Sequence, residues 1–124
     1  MTATTSRFNT NQLLATLSSA EWQHLEPDLD WVDLEAGTVL HSSGKALHHV
    51  HFPASATVSL VSSMADGASA EVAVVGSEGM VGVCAFMGGA NPLSDAVVQR
   101  PGQAWRMSTA AVLHHTRRSP DFMQ

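Results

Sequence analysis

Residues 51–82, HFPASATVSLVSSMADGASAEVAVVGSEGMVG, decide how the chain folds. Two apolar runs, ATVSLVSSM (56–64) and SAEVAVV (69–75), alternate with the two-residue period of a strand. They flank Asp66-Gly67, a dipeptide that tolerates the positive φ of a tight hairpin. Pro53 stands at a strand end, where its missing N–H costs no ladder bond. Glycines then crowd the chain at Gly76, Gly79 and Gly82, with Gly88-Gly89 beyond. Such a run can bring backbone N–H groups against a phosphate or turn a chain at the corners of a sheet. Neither a dinucleotide fingerprint nor a P-loop is present, because no Lys-Ser or Lys-Thr and no long helix follows, and Gly76 and Gly79 read as corner residues.

Outward from this stretch the same texture continues. WVDLEAGTVL (31–40) carries Trp31-Val32, a turn at Gly37 and then Thr38-Val39-Leu40. DAVVQ (95–99) and QAWRM (103–107) are separated by the turn Arg100-Pro101-Gly102. Seven or eight short strands at about ten-residue intervals predict a mainly β sandwich, barrel or jelly roll with flanking helices. At the N-terminal side, NQLLATLSSAEWQHL (11–25) spaces Leu13, Leu14, Leu17, Trp22 and Leu25 helically, and Ser18-x-x-Glu21 is a capping box. Two short helices are expected, the second restarting near Ser18 or Ser19. Ser108 caps a closing helix whose Ala110, Ala111 and Leu113, with Met107, are expected to turn inward, and Ser119-Pro120-Asp121 opens another. The organisation expected is a flexible arm over 1–10, one domain over 11–118 and the first turn of a cut-short helix over 119–124.

The 124 residues, 44% of them hydrophobic, suit one domain with one core. A single cysteine, Cys84, excludes an intramolecular disulfide framework and suits a reducing compartment. No signal-peptide core and no membrane-spanning run is present, so a cytoplasmic protein without membrane contact is expected. The net charge is −5 and the six Lys and Arg residues form no stripe, which argues against the chain gripping nucleic acid by itself.

Chemistry-bearing residues are few. His41, His48, His49 and His51 lie close together, and on a strand His49 and His51 share a face that a metal could use. Asp33 and Glu35 lie on an earlier segment without ligand spacing, so edge or surface histidines are the simpler reading. Cys84, between Val83 and Ala85, reads as a small core hydrophobe. No nucleophile elbow and no paired carboxylates occur, and no enzymatic activity is expected.

The order of features, from LHHVHFPASATVSLVSSMADGASAEVAVVGSEGMVGVCAFMGG (47–89) to AVVQRPGQAWRM (96–107), resembles the sensor domain of the Crp/Fnr family of bacterial transcription regulators. The resemblance runs from Asn11 to Gln124. It is most specific in Phe52-Pro53 with Val58-Ser59-Leu60, in the block from Asp66 to Gly82, and in Ala96-Val97-Val98-Gln99. It implies the cyclic-nucleotide-binding β-roll, a double-stranded jelly roll. It also implies a phosphate-binding cassette, in which a Gly-Glu pair opens a short helix, the Glu takes the ribose hydroxyl and a later Arg pairs with the phosphate. By position Gly82 is the cassette glycine and Val83 replaces the Glu. NPLSDAVVQ (91–99) offers Ser94 and Asp95 but no Arg before Arg100.

The candidate pocket is therefore a degenerate cassette of Gly82, Val83, Cys84, Ala85, Ser94 and Asp95. A hydrogen bond to a charged group contributes about 1.5–3 kcal/mol, and both the Arg–phosphate and Glu–ribose bonds are gone. An Asp95 facing the phosphate would add repulsion of about 4 kcal/mol at ~4 Å and an effective dielectric of ~20. Cyclic AMP is expected not to bind at micromolar concentration, and no cofactor is assigned. The resemblance further implies a small-molecule effector of unknown identity and, beyond this chain, a dimerisation helix and a winged helix-turn-helix domain. DNA contact and homodimerisation would then need parts absent here. Two alternatives stand beside this reading: a small cupin-like jelly-roll metal protein using His41, His49 and His51, and an interaction module whose pocket is filled by Met80, Phe86 and Met87.

Overall fold

The computed structural model describes residues 10–63, 67–83 and 91–118. Two short helices open it, α1 (Gln12–Ala15) and α2 (Ser19–Leu25), followed by a 3-10 turn, Glu26–Asp28. Both halves of the expected capping box form: Glu21 N donates to Ser18 Oγ and Ser18 N donates to Glu21 Oε1. The strands are β1 (Leu29–Leu34), β2 (Val39–His41), β3 (His49–Pro53), β4 (Thr57–Ser63), β5 (Ser69–Val75), β6 (Asp95–Arg100) and β7 (Gly102–Ser108). A closing helix, α3, spans Thr109–Arg118.

The strands form two antiparallel sheets, β1-β7-β3 and β2-β6-β4-β5. Chain order crosses between them: β1 to β2, β2 to β3 and β3 to β4 each change sheet. β6 and β7, joined by one residue, belong to opposite sheets. That alternation makes a jelly roll, and the fold is the cyclic-nucleotide-binding β-roll that the resemblance implies. The hairpin expected at Asp66-Gly67 appears as the β4–β5 pairing with Gly67 at φ +89°; Asp66 itself lies outside the described residues.

Alternation gives the three-stranded sheet two different faces. One packs under the helices: Leu14, Trp22, Leu25 and Val112 meet Leu29, Val50, Phe52, Trp105 and Met107. Trp105 sits at the centre, edge-to-face against Trp22 (centroids 5.4 Å apart) and Trp31 (4.9 Å). Each side chain buried this fully contributes roughly 1.5–3 kcal/mol, and aromatic pairs add to that. The other face looks into the roll, where Leu34, Ala56, Val98 and Ala104 form one cluster and Val58, Val81 and Ala96 another. The roll closes tightly at Gly102, where a Cβ would lie 2.6 Å from Ala56 N. Only glycine lets the β6–β7 corner approach the backbone of residues 54–56, which donates to Gln103 O.

In the closing helix Val112 and His115 are buried and Ala111 packs against the helix-side core as expected, while Ala110 is exposed, which corrects that part of the expected face. His115 Nε2 lies 2.8 Å from Asp28 Oδ2, joining α3 to the 3-10 turn. Asn11 is fully buried. Its Oδ1 accepts from Leu13 N (2.9 Å) and Leu14 N (3.2 Å), and its Nδ2 donates to Pro53 O (2.8 Å) and Gly79 O (2.9 Å).

Asn11→Ala should lower unfolding free energy in urea by about 2–4 kcal/mol, since it removes a helix cap and leaves two buried carbonyls unpaired. Asn11→Asp should be at least as damaging, because it keeps the cap but sets a carboxylate against those carbonyls; near-wild-type stability of either variant would contradict this.

Candidate functional site

Backbone contacts fix the entry to the cassette position. Gly79 N donates to Gly76 O (3.2 Å), closing the corner expected there. Gly76 N donates to Glu78 Oε2 (3.0 Å), and this bond holds the Glu78 carboxyl below its ordinary pKa. His51 and Val81 then exchange both backbone hydrogen bonds, at 3.0 and 2.7 Å. Gly82 follows at φ +100°, with the position of a Cβ 3.1 Å from Val50 Cγ1 and 3.3 Å from Leu47 Cδ2. Val83, at the position to which the resemblance assigns a carboxylate, is 60% exposed. Cys84, Ala85, Phe86 and Met87 lie outside the described residues, and Met80 packs against the helix-side core.

The exit is fastened to the connection between β2 and β3. Asn91 Nδ2 donates to Gly44 O, Gly44 N donates to Pro92 O, and Ser43 N donates to Asp95 Oδ1 at 2.7 Å. Along β6, Ala96 and Val98 are buried in the roll, and alternation sets Asp95 with Val97 on the opposite face. Ser94 is half-buried, and its backbone hydrogen-bonds to His41. The structure thus seats Gly82 and the Ser94–Asp95 pair at two ends of one connecting segment, residues 42–48. That segment also holds the closing helix: Thr109 Oγ1 donates to Leu47 O and Thr109 N to His48 O, both at 2.9 Å.

As expected, His41, His49 and His51 lie on edge strands, β2 and β3, and His48 is exposed; only the burial of His51 departs from that expectation. Val50 and Phe52 face the helices, so His49 and His51 face the roll, with ring centroids 6.4 Å apart. His51 is buried. Burial chiefly, with the charges of His49, Arg106 and His41, pushes its pKa down to about 4. Burial also lowers His41, opposed by the Ser94 backbone and the Asp95 charge. Among the described residues no three His, Cys, Asp or Glu groups are placed to hold a metal ion, so the cupin-like alternative gains no support. Sequence reasoning missed Arg106, Leu47 and Thr109. The H-x-H alternation beside Val50 and Phe52 was a usable signal that His51 faces away from the helix-side core, though not that its own side is buried, whereas the partners of the other three depend on register.

A jelly roll with helices packed on one sheet and a glycine-rich approach from Gly76 to Gly82 is the architecture of the cyclic-nucleotide-binding β-roll. The family model for the cyclic nucleotide-binding domain matches residues 31–118, and the chain belongs to that family. No curated protein matches the sequence. Among solved structures, the sensor domain of the transcriptional regulator DNR from Pseudomonas aeruginosa is 21% identical, with a TM-score of 0.75 over 96% of this chain and 80% of that one. The N-terminal domain of a transcriptional regulator from Streptomyces coelicolor A3(2) is 17% identical, with a TM-score of 0.74 over 93% and 80%. Thermus thermophilus catabolite activator protein is also 17% identical, with a TM-score of 0.75 over 89% of this chain. The chain spans about half of that last protein, 52%. Among the described residues no helix is long and apolar enough to cross a membrane.

Two measurements follow from this geometry. Gly82→Ala should cost about 1–3 kcal/mol of stability, because the backbone is left-handed there and Val50 and Leu47 occupy the space; an unchanged denaturation midpoint would contradict it. Between pH 6.5 and 4 the unfolded chain protonates His51 while the folded chain does not. Stability should therefore fall as pH is lowered through that window, by up to about 3 kcal/mol from this group. His51→Phe should flatten that part of the melting-temperature profile, and an equally steep profile in the variant would assign the slope elsewhere.

Proposed function

We propose that the chain is the sensor domain of a Crp/Fnr-type transcription regulator, without catalytic activity, whose ligand is a small molecule other than cyclic AMP. The observation that carries this is the cassette itself. Its backbone frame is intact from Gly76 to Gly82, yet Val83 stands where the ribose carboxylate belongs, and Ser94 and Asp95 stand where the phosphate-binding cation belongs. Asp95 is occupied by Ser43 N. Losing two charge-assisted hydrogen bonds removes several kcal/mol of affinity, which is several powers of ten in Kd. The contacts of Leu47 support a sensing role: it packs beside Gly82 and accepts from Thr109 at the start of α3. A displacement at the loop is thereby passed to the helix.

Titrated calorimetrically with cyclic AMP, the chain should show no binding at micromolar concentration. Micromolar affinity would overturn the reading, and its loss in Lys45→Ala would identify the β2–β3 loop as the source of the substitute cation. The chain should also fail to shift duplex DNA at micromolar concentration in 0.15 M salt, since its basic residues form no stripe. Salt-sensitive binding to a defined site would count against a sensor that depends on another domain for DNA contact.

A further inference from the structure

We propose that the interior of the β-roll holds a binding site for a small oxyanion, built on Arg106 and His51. In the three-stranded sheet, Asp30 of β1, Arg106 of β7 and His51 of β3 stand opposite one another in register, and His51 is bridged in turn to Val81. The flanking residues Leu29, Trp31, Trp105, Met107, Val50 and Phe52 belong to the helix-side core, so this row faces into the roll. His51 is 4% exposed. Two buried polar atoms in the row have no hydrogen-bond partner among the described residues, His51 Nδ1 and Arg106 Nε, and they belong to one cross-strand pair.

Buried polar atoms in folded proteins are paired almost without exception, so two orphans on one pair mark a place for a missing partner. Arg Nε–H can only donate and carries positive charge, and an imidazole Nδ1 can donate as well. The group that suits both is an acceptor with negative charge. Asp30 does not fill this role: it meets Arg106 through Nη2 at 3.4 Å and is largely exposed, which leaves the buried side of the guanidinium unspent. The other charged or titratable neighbours in the roll are His49 and His41, both of which make a second positive charge at His51 less favourable. Ala104 and Val32, next along β7 and β1, are apolar and keep the surroundings weakly polarisable. An oxyanion would reverse the balance at His51, so binding should take up a proton and strengthen as pH falls.

The site stands on these side chains alone and not on the reading of the cassette; its failure would leave the sensor assignment standing. The test uses the whole chain, labelled with nitrogen-15, titrated with sulfate or acetate at constant ionic strength against chloride. Both anions keep their charge, for the most part, between pH 5.5 and 7.5. The Arg106 Nε–H and His51 ring signals should shift and saturate with one anion or the other, at least threefold more tightly at pH 5.5 than at 7.5. Arg106→Gln should weaken binding by at least about tenfold. Should that variant unfold, His51→Gln provides the second reading: it should abolish the pH dependence while the Arg106 signal still responds. Shifts that stay linear in anion, or saturable shifts unchanged in both variants, would overturn the proposal.

Discussion

The side-chain amide of Asn11 is the junction on which the rest of the architecture depends. A buried primary amide has two acceptor and two donor positions, and here two backbone N–H groups and two backbone carbonyls use all four. The partners come from three places: the first turn of α1, the end of β3 and the corner at Gly79. Gln12 N adds a bond to Ser77 O at 2.7 Å. A satisfied buried network contributes little net energy compared with the cost of breaking it, and so it acts mainly as a constraint. It sets where the N-terminal helices lie over the three-stranded sheet and, through Gly79, where Val81 and Gly82 stand. The helix cap and the entry to the ligand loop are thus one structure.

From that junction the period of the strands does the remaining division. In β3, β7 and β1 each successive residue goes to a different core, one under the helices and one inside the roll. The helix side is filled by aromatic and aliphatic groups around Trp105. The roll side is apolar near Ala104 and Val98, but at Asp30, Arg106 and His51 it turns polar. A change from apolar to polar along one interior face has no packing rationale in a domain that needs its core, and it leaves two buried atoms without partners. Folding tolerates it because Asp30 and part of Arg106 reach solvent at the end of the roll.

Local signals in the sequence carried most of the fold. The capping box at Ser18, the turn glycines and the alternating valines of β4 and β5 each rest on contacts within a few residues, and each is where those contacts put it. The β6–β7 break was legible at Arg100-Pro101-Gly102, but the departure of its two strands into different sheets was not, because sheet membership is a property of the whole chain. The same limit hid His51. Its neighbours Val50 and Phe52 showed that it faces away from one core, yet that its own side is a second interior follows only once the other sheet is in place. Asn11, Thr109 and Arg106 work through partners 42 to 76 residues distant, beyond any periodicity. The candidate cassette was named by resemblance alone, and the attachment of its described ends to residues 42–48 was not legible.

That attachment holds the described ends of the segment through contacts that involve neither a glutamate nor an arginine. The described contacts that hold the cassette's ends are the His51–Val81 bridge, the packing of Gly82 on Leu47 and Val50, the bonds Asn91 Nδ2 to Gly44 O and Gly44 N to Pro92 O, and Ser43 N to Asp95. None requires a glutamate at Val83 or an arginine at Ser94. On the reading proposed above, the frame and the ligand chemistry are separable in free energy, so substitutions at Val83 or Ser94 would leave folding nearly unchanged. Asp95 illustrates the separation. On that reading a carboxylate near the phosphate would oppose binding; turned to Ser43 N, it serves the frame instead.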